Sequence, residues 1–307
     1  MNEIRFFCPA TIANVTCGFD VLGLCLDTVG DEMVIRKTDD GKVSITRIEG
    51  QELPLQTERN VAGVSAMAML KALGSSQGFE IEIYKKIKPG SGIGSSAASA
   101  AGAVFGINKL LGTPFSATEL IPFAMEGEKL ASGALHADNV APALLGGFSL
   151  VRSYEPLDVI KLHTPGELFA SVIHPQIEVK TADARSVLKH SVPLKKAIQQ
   201  WGNLGGLVSG LYTENYELIS RSLNDGIIEP LRSLLIPKFN QVKQAALDAG
   251  ALGGGISGSG PSIFALSKGQ VTAAKVAEAM AGIYAGAGVD FEVHISGINV
   301  EGMRVLS

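Results

Sequence analysis

Lys88-Pro89-Gly90-Ser91-Gly92-Ile93-Gly94-Ser95-Ser96-Ala97-Ala98-Ser99-Ala100 is the densest run in the chain: a glycine-rich turn followed by small residues suited to a helix N-terminus. Gly90, Gly92 and Gly94 alternate, so backbone N–H groups can approach an anion without interference from Cβ. The free N–H groups and positive dipole end of the next helix supply the attraction. Upstream, Phe79 to Tyr84 alternates like a strand. The run reads as a phosphate cradle.

Its glycine spacing admits several readings. A Walker loop needs a lysine before the final hydroxyl residue, and after Gly94 the next lysine is Lys109, so that loop is excluded. Gly92 to Ala97 matches the dinucleotide pattern G-x-G-x-x-A, but Gly112 to Gly133 has helical spacing. The acidic residue expected at the tip of a second strand, about 20 residues on, is therefore missing. A plain helix cap packed on a sheet is the structural alternative. Pro89 through Ala98 also resembles the second motif of the GHMP kinases (galactokinase, homoserine kinase, mevalonate kinase, phosphomevalonate kinase), P-x-G-x-G-L-G-S-S-A-A, with Ile93 for leucine.

The chain has 307 residues, 46% hydrophobic and 18% charged, enough for one large core or two modest ones, with two domains the better expectation. A net charge of -4 leaves no basic field for nucleic acid. The first residues are too short and polar for a signal peptide, and no apolar segment is long enough to span a bilayer, so a cytoplasmic protein without a membrane partner is expected. Cys8, Cys17 and Cys25 read as reduced core thiols. Lys85, Lys86 and Lys88 read as a solvated strand end, or as added positive potential near bound phosphate.

In the first half, Ile4 to Cys8, Glu32 to Arg36 and Lys42 to Ile48 read as strands. Asn60 to Leu73, Ser99 to Leu111 and Thr118 to Leu130 read as helices. Pro142 to Leu150 bends through Gly146-Gly147 into a strand. Turn signals over residues 155 to 167 mark a boundary, giving domains 1–160 and 161–307. Beyond it, strands are predicted at Phe169 to Ile173, Ser262 to Leu266 and Asp290 to Ile298, and helices at Leu204 to Ile219, Ile236 to Ala249 and Val271 to Ala285. Strands and helices without strict alternation predict α+β.

Other segments extend the resemblance. Pro9-Ala10-Thr11-Ile12-Ala13-Asn14-Val15-Thr16-Cys17-Gly18-Phe19-Asp20-Val21-Leu22-Gly23 is similar to the homoserine branch's P-A-[ST]-x-A-N-x-x-x-G-F-D-x-L-G. Mevalonate kinases and galactokinases carry a basic residue at about Thr11. The homoserine branch often has Gly-Pro where Thr16-Cys17 stand, a departure that bears on the turn. Glu126 to Pro142 resembles G-E-x-x-x-S-G-x-x-H-x-D-N-V-A-P, Lys180 to Arg185 resembles x-T-x-x-A-R, and Gly253 to Ser262 resembles G-x-x-x-S-G-S-G-P-S. Read from its residues, the last is a flexible, anion-friendly loop able to close over a ligand.

The resemblance implies an N-terminal domain of the ribosomal protein S5 domain 2-like type, a ferredoxin-like C-terminal domain, and transfer of phosphate from ATP to homoserine. Pro89, Gly90, Ser91, Gly92, Ile93, Gly94, Ser95, Ser96, Ala97 and Ala98 would cradle the nucleotide. Glu128 matches the Mg²⁺-binding glutamate and Ser96 the serine that assists it. Asn139 falls at about the place of the aspartate that other GHMP kinases use as base, and a neutral amide takes no proton. Asn14, Asp20, His136, Asn139, Thr181, Arg185, Arg232 and Gly258 form the implied substrate set, with Asp20 for the ammonium and the two arginines for the carboxylate. His136 has two readings, a base or a hydrogen-bonded loop histidine. Many members of the family are homodimers. A different GHMP kinase, a non-catalytic sensor on the same fold and a dehydrogenase are the competing readings.

Overall fold

The computed structural model describes residues 1–179 and 181–306, with Thr181 and Ala182 described by their backbone alone. The chain runs β1 (Glu3–Ala13), β2 (Leu22–Thr38), β3 (Val43–Glu49), α1 (Val61–Leu73), β4 (Gly78–Tyr84), α2 (Ser95–Leu110), α3 (Ala117–Ser132), α4 (Val140–Leu145), β5 (Phe148–Tyr154) and β6 (Leu157–Leu162). It continues through β7 (Leu168–Pro175), α5 (Thr181–Ser186), α6 (Leu194–Thr213), α7 (Tyr216–Ser222), α8 (Glu229–Arg232), α9 (Phe239–Asp248), β8 (Gly253–Ile256), β9 (Ile263–Lys268), α10 (Gln270–Ala287), β10 (Phe291–Gly297) and β11 (Arg304–Val305).

The first sheet is ordered β11-β1-β2-β4-β3, and β5 joins β2 and pairs with β6. Helices α1 to α4 pack together and onto it. The second sheet is ordered β10-β7-β9-β8, which is 4-1-3-2 in chain sequence, all antiparallel and covered by α9 and α10. This is the expected α+β architecture, with a ferredoxin-like strand order in the second half. The Ser296 hydroxyl on β10 joins the sheets by accepting from Asp27 N at 2.7 Å and Thr28 N at 3.1 Å.

Small side chains explain how α2 lies so close to the first sheet. Ala97, Ala98, Ala100, Ala101 and Ala103 are all fully buried, and a Cβ on Gly106 would stand 2.6 Å from the Phe6 ring. The close approach packs the helix against the sheet and leaves Ser95, Ser96 and Ser99 at its N-terminal end facing a cavity.

Several elements depart from the sequence expectations. β2 is 17 residues long because it serves two partners: Leu22 to Leu24 pair with β5, and Glu32 to Thr38 with β4. The single helix expected at Leu204 to Ile219 is two, broken at Glu214 (φ 50°), where the Asn215 side chain caps Leu218 N at 2.9 Å. The turn-rich boundary contains strand β6. The glycine loop at residues 253–262 is half strand: Gly253–Ile256 is β8, and the remaining residues, 257–262, are pinned. Ser257 Oγ donates to Gly92 O at 2.7 Å, and Ser262 N donates to Ser91 O at 3.2 Å. All three cysteines are free and buried, and burial pushes the Cys17 thiol up to about 11.

Lys85 also departs from expectation. Lys86 and Lys88 are solvated, but the Lys85 ammonium is buried in an ion pair with Asp31 and donates to Ser95 O at 2.8 Å and Ser99 Oγ at 3.2 Å. Asp31 Oδ1 accepts from Lys86 N and Ile87 N at 2.7 and 2.8 Å. Lys85→Met strands the Asp31 charge, and the expected loss of stability is on the order of 3–5 kcal/mol. Urea denaturation checks this; a loss below about 1 kcal/mol would show that the pair does not hold the layer.

Candidate active site

Gly94 caps α2 with a left-handed backbone (φ 72°) and offers no side-chain acceptor, so the first-turn N–H groups are left for an anion. A Cβ there would lie 2.1 Å from Thr11 Oγ1, which excludes any other residue. Glu128 of α3 stands nearby. It is buried, its Oε1 has no hydrogen-bond partner among the described residues, and burial pushes its carboxyl up to about 7 against the pull of the Ser96 hydroxyl and the Lys85 charge. A buried carboxylate oxygen without a partner, beside a serine hydroxyl, is a donor set of hard oxygens that fits a small divalent cation. Asp138 is likewise buried and pushed up to about 7, first by burial and then by Asp20 and Glu128.

The loop from Asn14 to Asp20 runs through left-handed backbone at Asn14 (φ 73°), Val15 (φ 40°), Thr16 (φ 60°) and Asp20 (φ 60°), a costly path for β-branched residues. The Asn14 side chain holds it: Oδ1 accepts from Asp20 N at 2.9 Å and Nδ2 donates to Gly258 O at 2.7 Å. Asp20 thereby presents its carboxylate to Arg185 Nη2, at 3.0 and 3.2 Å. Arg185 Nη2 also donates to His136 Nε2 at 2.8 Å, which places the imidazole proton on Nδ1, 4.0 Å from Asp20. Burial holds His136 below its ordinary pKa, consistent with this neutral form. Arg232 is buried, donating to Ala184 O at 2.9 Å and Gly258 O at 3.1 Å.

A cavity of about 370 Å³ joins the two halves. Asn14, Asp20, Pro89, Gly90, Gly92, Gly94, Ser95, Ser96, Glu128, His136, Asn139, Arg185, Arg232 and Gly258 line it. Ile93, Ala97 and Ala98 pack into the core, and Ser91 is buried without lining the cavity. Lys180 and the Thr181 side chain lie outside the described residues. Sequence reasoning missed Leu53, Pro54 and Arg59 as lining residues, gave Lys85 only as added positive potential near bound phosphate, and left Asp138 without a role. It also missed Phe19, whose ring lies 4.9 Å from the Arg232 guanidinium and 5.9 Å from that of Arg185. The adjacent Asp20, in the same Gly18-Phe19-Asp20 motif, was the available signal.

Residues 60–147 match the GHMP kinases N terminal domain, and residues 196–286 match the GHMP kinases C terminal family. The chain is 47% identical to a homoserine kinase of Chloroherpeton thalassium, with 100% of each chain covered. It belongs to the homoserine kinase family of GHMP kinases. A homoserine kinase of Chlorobaculum tepidum is 46% identical over 100% of this chain and 99% of its own. The crystal structure of homoserine kinase from Cytophaga hutchinsonii superposes with a TM-score of 0.96 at 52% identity, covering 100% of this chain and 98% of that one.

The raised carboxyls set a pH dependence. Glu128 and Asp138 keep their protons in the folded protein up to about 7, whereas ordinary carboxyls release them near 4.5 and 3.8. Their contribution to folding is complete below those lower values and is lost as pH climbs to about 7. The melting temperature of the ligand-free protein should fall between about pH 5 and about pH 8, less steeply in Glu128→Gln and Asp138→Asn. A fall of equal steepness in both variants would refute the assignment.

Proposed function

We propose that the protein transfers the γ-phosphate of ATP to the side-chain hydroxyl of L-homoserine, forming O-phospho-L-homoserine in threonine biosynthesis by direct in-line transfer without a strong catalytic base. One observation carries the reading: a single cavity places an open helix N-terminus beside an acidic group and two guanidinium groups suited to an amino-acid zwitterion.

The turn from Pro89 to Ala98 holds the triphosphate through backbone N–H groups. Asp20 takes the substrate ammonium, and Arg185 and Arg232 take the carboxylate. In the free protein Asp20 and Arg185 bond to each other, so the zwitterion replaces each partner's counter-charge without leaving either unpaired. Asn14 and Gly258 keep this clamp in shape, His136 orients Arg185, and Thr181 completes the substrate set. Ser96 and Glu128 would hold Mg²⁺, which would supply neutralisation of phosphate charge. The transition state is loose and asks chiefly for alignment, so Asn139 need not accept a proton, which passes to the transferred phosphate.

Residues 1–160 are the proposed nucleotide-binding domain, and residues 161–307 complete the substrate site through Arg185 and Arg232, although β11 returns to the first sheet. Among the described residues no helix is long and apolar enough to cross a membrane. A cytoplasmic location and a homodimer belong to this proposal.

Incubation with ATP and Mg²⁺ plus homoserine, mevalonate, galactose or no acceptor, with ADP measured, tests the reading. ADP release that depends on homoserine is the expected result; release only with another alcohol would reject it. Glu128→Ala should abolish turnover. Arg185→Ala should raise the homoserine KM by about tenfold to a hundredfold with less change in kcat. Unchanged kinetics in either variant would remove that residue from the scheme.

A further inference from the structure

Asn139 occupies the N-cap of α4, where an asparagine side chain ordinarily accepts a first-turn N–H. Its side chain makes no such bond. Instead, Oδ1 accepts the hydroxyl proton of Thr11 at 2.8 Å, from a strand 128 residues earlier in the chain. Thr11 is fully buried, and its backbone N donates to Ile93 O at 3.1 Å within the phosphate turn. A Cβ on Gly94 would lie 2.1 Å from Thr11 Oγ1 and 3.1 Å from Asn139 Oδ1, so the pair sits directly beneath that turn.

This arrangement fixes the amide. Among the described residues, Asn139 Oδ1 is the acceptor for the Thr11 hydroxyl, and a flipped amide would strand that buried proton. With Oδ1 engaged, Nδ2 is left as the donor, without a hydrogen-bond partner among the described residues, on a side chain that lines the cavity. The geometry points to Thr11 as a positioning residue: its hydroxyl turns Asn139 so that Nδ2 donates to the reacting oxygens and Oδ1 is withheld from the substrate hydroxyl.

The inference rests on the phosphoryl-transfer reading above. The substrate oxygen forms its bond to Pγ, the bond from Pγ to the bridging oxygen breaks, and the electron pair leaves with ADP. The hydroxyl proton passes to an oxygen of the transferred phosphate. An N–H aimed at these oxygens stabilises charge that grows in the transition state, so its loss appears in kcat more than in KM.

The test compares homoserine-dependent ADP release by wild type, Thr11→Val, Thr11→Ser, Asn139→Ala and the Thr11→Val/Asn139→Ala double variant, with melting temperatures recorded. Thr11→Val should lower kcat about tenfold while both KM values stay within about twofold. Thr11→Ser, which keeps the hydroxyl, should restore most of the lost turnover. In the double variant, loss of Thr11 should add little to loss of Asn139, because the two act as a unit. Should Thr11→Val fail to fold, Thr11→Ala is read the same way. Wild-type kcat without the hydroxyl, no rescue by serine, or losses that multiply fully in the double variant would overturn the assignment. A wild-type protein that releases no ADP with homoserine overturns the kinase reading itself, and the role of Thr11 with it.

Discussion

The buried Lys85 ammonium is the contact on which the glycine-turn side of the molecule depends. It meets Asp31 of β2, Ser95 O at the start of α2 and Ser99 one turn later, so all three of its protons are used. A charge removed from water is costly unless its partners are fully satisfied, and here they are. The effect is to pin the first turn of α2 to the sheet while its N–H groups stay open. The same charge opposes the desolvation of Glu128 and links the packing of the layer to the acidity of the site.

On the acceptor side the constraint is electrostatic balance. Asp20, Arg185 and His136 form a closed set in the free protein, and the strained loop from Asn14 to Asp20 is held by the Asn14 amide, with Tyr154 and Gln200 donating to its carbonyls. Phe19 lies against both guanidinium groups. Strain in the loop and pinning of residues 257–262 are two aspects of one device, because Gly258 receives both Asn14 and Arg232.

Much of this was legible in the chain. The alternation at Phe79 to Tyr84, the small residues after Gly94 and the helical periods of α1, α3 and α10 foretold their elements, since each depends on local spacing. The sequence motifs placed Asp20, Glu128, Arg185 and Arg232 in one set, and the fold brings them to one cavity. Less legible were features set by remote partners. The length of β2 depends on two neighbours from opposite ends of the domain. Lys85 stands next to Lys86 in the chain, and its side-chain bonds to Asp31, 54 residues away, and to Ser95 and Ser99 separate their fates. The glycines of β8 suggested freedom, but the ladder with β9 removes it.

By itself the sequence determined the family, the α+β class and a set of polar residues that the fold gathers at one cavity, because spacing and residue type are local properties. Tertiary structure decided how those residues are used. Thr11 and Asn139 are separate curiosities in the chain and hydrogen-bond partners in the fold. Glu128 and Asp138 are ordinary carboxyls until burial raises them to about 7. The physical reason is common to all of them: orientation and desolvation belong to neighbours, and neighbours from distant segments exist only once the chain has packed.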